Sequence, residues 1–85
     1  MKWQIDLQIA WPSKPGTYKT IVQREFARKT DANQFYRELR SKVYQHYHSR
    51  YGLMGEGFKS YVLNCYGTCT FEAPREWMVI GFRRA

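Results

Sequence analysis

The sequence predicts a two-layer α+β fold: β-β-α-β-β, a four-stranded, mainly antiparallel sheet with one helix packed on one face. Three observations point there. Residues 2–11 alternate strictly between polar and apolar side chains. Residues 35–52, FYRELRSKVYQHYHSRYG, repeat their apolar side chains at helical spacing. The runs on either side are β-prone and are broken by turns containing Pro or Gly.

KWQIDLQIAW puts Trp3, Ile5, Leu7, Ile9 and Trp11 on one face and Lys2, Gln4, Asp6, Gln8 and Ala10 on the other. Period two over this length marks a half-buried antiparallel strand, with Ile5 and Leu7 buried and Gln4 and Asp6 exposed. PSKPG then turns the chain: Pro12 and Pro15 stop the strand and Gly16 can take positive φ. TYKTIVQREFARKT forms the second strand of a hairpin. Tyr18, Thr20, Val22 and Phe26 share one parity, yet Arg24 falls within it and Ile21 against it. A β-bulge near Val22 resolves the conflict; the alternative is an edge strand from which Arg24 snorkels.

The helix starts in KTDANQ, where Asp31 and Gln34 have capping-box spacing and Thr30 competes as cap. It runs to about Tyr51, with Gly52 as its C′ residue. At about 100° per residue, Ala32, Phe35, Tyr36, Leu39, Val43, His46 and Tyr47 form the stripe that packs on the sheet. After GLMGEG, the run FKSYVLNCYGTCTFEA is read as one long or bulged strand; the other reading is a hairpin turning at Tyr66-Gly67. EWMVIGFRR is apolar on both parities and is expected to be central or covered on both faces. The core is then Trp3, Ile5, Leu7, Ile9, Trp11, Val22, Phe26, Phe35, Leu39, Val43, Leu63 and the last strand.

A chain of 85 residues makes a single domain, 1–85, with a modest core that its 15 Trp, Tyr and Phe residues fill economically. The net charge is +7, of which residues 1–50 contribute ten basic and four acidic side chains. Such asymmetry suits a polyanionic partner. No apolar leader follows the first residues and no window approaches the length of a membrane span, so a cytoplasmic location and no membrane contact are expected.

One helix sector beside the core stripe carries the functional expectation. Arg37, Arg40, Tyr44, His48 and Tyr51 fall within an arc of about 80°. Guanidinium groups match phosphates or guanine edges, and rings stack on unpaired bases. The opposite flank, Gln34, Glu38, Gln45 and Ser49, is nearly neutral with Lys42 its only base. Lys19, Arg28 and Lys29 extend the candidate surface, the last two beside the helix N-terminus. The expected function is non-enzymatic binding of nucleic acid, or of the acidic surface of a nucleoprotein complex, with no small-molecule cofactor. An open sheet edge would also allow a homodimer.

Other motifs carry less. GLMG at 52–55 has the form of a KH-type GxxG loop, but a strand rather than a helix follows it. GEGFKS lacks the GK[ST] of a P-loop. Cys65 and Cys69 are spaced CxxxC, too far apart on a continuous strand for a disulfide, and read as core. His46 and His48, two apart on a helix, point to different sides and make a poor metal pair. A toxin-type ribonuclease would use His48, Tyr44 and Arg40 as acid/base and phosphate groups, but no paired acid or base accompanies them.

In size and β-β-α-β-β layout the chain resembles the small proteins that bacteriophages direct against host machinery, anti-CRISPR proteins among them. The resemblance spans the layout of the whole chain and transfers no site residue. It implies a stoichiometric inhibitor of a host defence complex, acting in the host cytoplasm by direct protein–protein binding, through occlusion or ligand mimicry. Many such inhibitors are acidic DNA mimics, a pattern from which the charge of +7 departs.

Overall fold

The computed structural model describes residues 2–14, 16–52, 57–62 and 68–84. In chain order these form β1 (Trp3–Ala10), β2 (Tyr18–Phe26), α1 (Lys29–Tyr47), a single π-helical turn (His48–Gly52), β3 (Lys59–Val62), β4 (Cys69–Glu72) and β5 (Trp77–Arg84). The sheet order is β2-β1-β5-β4-β3, and all neighbours are antiparallel. The α+β class, with one helix on a mainly antiparallel sheet, is the one the sequence predicts.

The strand count is five, not four. The run expected as one long strand is a hairpin, with Lys59–Val62 paired to Cys69–Glu72. Extended, the run would reach roughly 45 Å at about 3.3 Å per residue, far beyond the eight residues of β5 available to pair with it. Folding back pairs both halves. Residues 63–67, which hold Leu63, Cys65 and the expected turn, lie outside the described residues.

β1 and β5 form the centre, as the apolar character of the last strand implies. Ile5, Leu7 and Ile9 stand opposite Phe82, Ile80 and Met78, and Cys69 and Phe71 continue two of these rows onto β4. This face lies under α1, which buries Ala32, Tyr36, Val43 and Tyr47 against it. Phe35 and Leu39 pack at its margin. Tyr36 meets Phe82 edge-on at 5.5 Å, and Tyr47 meets Phe71 and Phe58, each at 5.7 Å. Interlocking rings give a small sheet a dense core from few residues.

Two positions, one on β1 and one just beyond it, depart from simple alternation. Asp6, expected to be exposed, is 7 % exposed. It stands opposite Gly81, where a Cβ would come within 2.5 Å of its Oδ1, and it accepts a bond from Arg83 at 2.6 Å. The glycine leaves room for the carboxylate to lie across the strand, and the guanidinium offsets its desolvation. Trp11, expected in the core, is 36 % exposed. β1 ends at Ala10, and Trp11 belongs to the turn, where its carbonyl accepts from the Lys14 N–H. In that turn Gly16 has φ +85, as its position demands.

On β2 the parity conflict is settled by a bulge. Val22 pairs with Leu7 and Thr20 with Gln8, leaving Ile21 without a partner and exposed. Arg24 is also on an edge strand, with its guanidinium 5.0 Å from the Phe35 centroid and 5.6 Å from that of Phe26. Bulge and snorkelling arginine are therefore both present.

α1 begins earlier than its capping signals suggest. Arg28 is the N-cap residue and makes no side-chain cap bond, so Asp31 and Thr30 sit inside the first turn. Few residues separate β2 from the helix, and the strand's end sets the start. At the other end Gly52 has no positive φ and is no left-handed cap. It closes the π turn, where a Cβ would lie 3.3 Å from the His48 ring.

Candidate functional site

The eight residues expected to bind do not form one surface. Arg37, Arg40 and Tyr44 line a groove of about 320 Å³ between α1 and the β3–β4 hairpin, together with Ser41, Ser60, Val62 and Cys69. His48 stacks on Tyr44, centroids 6.2 Å apart and planes 17° from parallel. Lys29 lies some 22 Å up the helix axis from Tyr44 at 1.5 Å per residue, with Arg28 beyond it. Lys19 faces Ile9 on β2, the opposite edge of the sheet from β3.

Tyr51 leaves the predicted sector altogether. It is 3 % exposed and packs on Tyr47 at 5.5 Å. The π turn is the reason. A wider i→i+5 turn advances each residue by less than 100°, so Tyr51 rotates back toward the core stripe. His46 moves the other way. Expected in the core, it is exposed at the helix end, where its Nε2 lies 3.9 Å from Glu76 Oε1. Glu76, in the turn between β4 and β5, also receives the Tyr51 hydroxyl at 3.3 Å and faces Arg50 at 3.7 Å. Its backbone carbonyl accepts the Tyr47 hydroxyl at 3.4 Å and the Ala73 N–H at 3.1 Å. The end of the helical segment is thus tied to the sheet through one residue. An acidic residue in APRE reads as surface, and nothing local in the sequence marks it.

The groove has a different electrostatic character. Among the described residues its lining contains two arginines and no carboxylate. Neither Arg37 nor Arg40 forms an ion pair among the described residues. Arg40 lies over the Tyr36 ring at 5.5 Å, which fixes the guanidinium without neutralising it. Ser41 and Ser60 add hydroxyl donors. Tyr44 is 48 % exposed, yet it is held between His48 and an edge-on Phe58 at 5.5 Å. Such a ring is presented already oriented.

Cys69 lies at the base of the groove, buried, as the core reading of this cysteine implies. Burial pushes its thiol pKa up and Arg40 only partly offsets this, so the nucleophilic thiolate is disfavoured. Burial likewise raises the Tyr36 phenol, with Cys69 adding to the shift and Arg40 opposing it. Ser60, Val62 and Cys69 escape a search for basic-aromatic residues, because they reach the site only through the hairpin. No helix among the described residues is long and apolar enough to cross a membrane. The chain matches no protein-family model, no curated protein and no solved structure, and the chemistry of the groove is what remains to read.

Proposed function

We propose that this protein is a non-catalytic binder of single-stranded nucleic acid, free or exposed on a nucleoprotein complex, with the α1–β3 groove as its contact. The observation that carries the reading is the groove's lining among the described residues: two guanidinium groups without an ion pair there, two serine hydroxyls and no acid, beside a pre-stacked Tyr44–His48 pair. Unpaired arginines with neighbouring hydroxyl donors suit a phosphodiester, whose anionic oxygens accept from both. Tyr44 and His48 extend a base stack without selecting a base. The excess of positive charge, +7 overall, steers a polyanion toward the site.

The test is binding of a labelled oligonucleotide across a range of salt. Arg37→Ala with Arg40→Ala should weaken binding and flatten the salt dependence by roughly 0.7 in slope per lost phosphate contact. Tyr44→Ala should cost about 1–3 kcal/mol with little change in slope. Circular dichroism confirms that the variants are folded. Unchanged binding in all of them would sink the reading, and RNA cleavage by the intact protein would replace binding with hydrolysis.

A further inference from the structure

We infer a second phosphate-binding node at the other end of the same helix flank, formed by Lys29 and Arg84 on the Trp3 indole. Its use by nucleic acid rests on the function proposed above; its ability to hold a phosphate does not.

Strand register creates the node. Trp3 stands between Arg84 of β5 and Phe26 of β2, all on the helix-covered face. Phe82 braces the indole edge-on at 5.8 Å. Lys29, the first residue of α1, places Nζ 5.2 Å from the Trp3 centroid, and Arg84 places its guanidinium carbon 5.3 Å from it. The two cationic centres are therefore no farther apart than those distances combined, a span that two adjacent phosphates of one chain can cover.

Both side chains belong to exposed residues, and neither forms an ion pair among the described residues. Among the described residues the neighbouring acids are engaged or turned away. Glu25 pairs with Lys2, and Asp6 with Arg83. Asp31 lies two residues further along α1, about 200° around the axis from Lys29. The indole face attracts each cation, but the cations repel one another. Phosphates bound to the pair offset the repulsion and accept hydrogen bonds from each.

The node lines up with the groove. Lys29, Arg37, Arg40 and Tyr44 fall within an arc of about 80° of α1, over roughly 22 Å of its axis. A strand stacked at Tyr44 and passing Arg40 and Arg37 runs on to Lys29 and Arg84. The ligand class is a phosphodiester chain of several nucleotides, with this node holding backbone only.

Trp3 reports on the node directly. Trp11→Phe with Trp77→Phe leaves it the only indole in the full chain. Titration with tripolyphosphate should change Trp3 emission saturably. Lys29→Gln with Arg84→Gln should abolish the change. Lys14→Gln with Lys42→Gln, an equal loss of charge elsewhere, should preserve it. Circular dichroism establishes that each variant is folded. No response to tripolyphosphate, or a response that survives Lys29→Gln with Arg84→Gln, overturns the node.

An oligothymidylate of about twelve nucleotides, within the usual range of single-strand sites, separates the two claims. Lys29→Gln with Arg84→Gln should weaken its binding and lower the salt slope by roughly 1.4, two phosphates at about 0.7 each. Unchanged affinity overturns the shared footprint while leaving the groove's function intact. A tripolyphosphate response without oligonucleotide binding supports the node as an anion site and removes the nucleic-acid function.

Discussion

In FYRELRSKVYQHYHSRYG the same residue types recur in two places with opposite surroundings. His46, Tyr47, Arg50 and Tyr51 converge on Glu76. Arg37, Arg40, Tyr44 and His48, one to three turns away or interleaved with them, border a groove that has no carboxylate among the described residues. Composition therefore does not assign the work. One acid in the β4–β5 turn engages the first set as structure, and among the described residues no acid pairs with the arginines of the second set. The first set should matter for stability and the second for binding.

The largest effect should come from the structural set. Tyr47 is fully buried among Tyr51, Phe58 and Phe71. Tyr47→Ala should cost about 3–5 kcal/mol in urea unfolding, the scale for truncating a large buried ring. Tyr44→Ala, three residues away and half exposed, should change stability by under about 1 kcal/mol. Equal losses at the two tyrosines would erase the distinction.

Glu76→Ala should come next. It removes the carboxylate that the Tyr51 hydroxyl and Arg50 both face, at a cost of about 1–3 kcal/mol. Oligonucleotide affinity, measured below the shifted unfolding midpoint, should stay at the level of the unaltered protein. A parallel loss of affinity would show that the two sets act as one unit.

The smallest effect is a pH dependence. Burial raises the Tyr47 and Tyr36 phenols and the Cys69 thiol above their ordinary values. The folded protein then keeps protons that the unfolded chain releases near pH 8.5 for cysteine and about 10 for tyrosine. The unfolded state binds fewer protons there, so stability is full below about pH 8 and falls as pH rises through these values. Tyr47→Phe should cost roughly 0.5–1 kcal/mol at pH 7 through its lost bond to the Glu76 carbonyl. It should also make the alkaline decline shallower. Parallel stability–pH curves for the two proteins would mean that Tyr47 does not contribute to it.

Much of the fold is legible in local pattern, because patterns with the period of an element report on that element alone. The alternation of Trp3, Ile5, Leu7 and Ile9 marks β1, and the clash of Ile21 and Arg24 with the parity of β2 locates the bulge to within a residue. Helix angle places Arg37, Arg40 and Tyr44 on one flank because α1 is regular over them, and His48, the first residue of the π turn, still stacks on Tyr44. The same rule misplaces Tyr51, where the helix ceases to be regular, and His46, which lies at the margin of the stripe that Ala32, Tyr36, Val43 and Tyr47 bury. The hairpin of β3 and β4 escapes because two four-residue strands carry too few alternations to separate from one long run.

The sequence by itself determines the α+β class, the hairpin of β1 and β2, the central place of β5 and the sidedness of the helix charge. Each depends on side chains within a few residues of one another, whose spacing sets which face they occupy. Tertiary structure alone decides that Asp6 can be buried, since Gly81 and Arg83 lie more than seventy residues away. It decides that Glu76 anchors the end of the helical segment and that Ser60 and Cys69 complete the groove. It brings Arg84 to the indole that Lys29 covers. Those outcomes depend on strand register and helix placement, which bring distant residues to one point, and no local period encodes such a meeting.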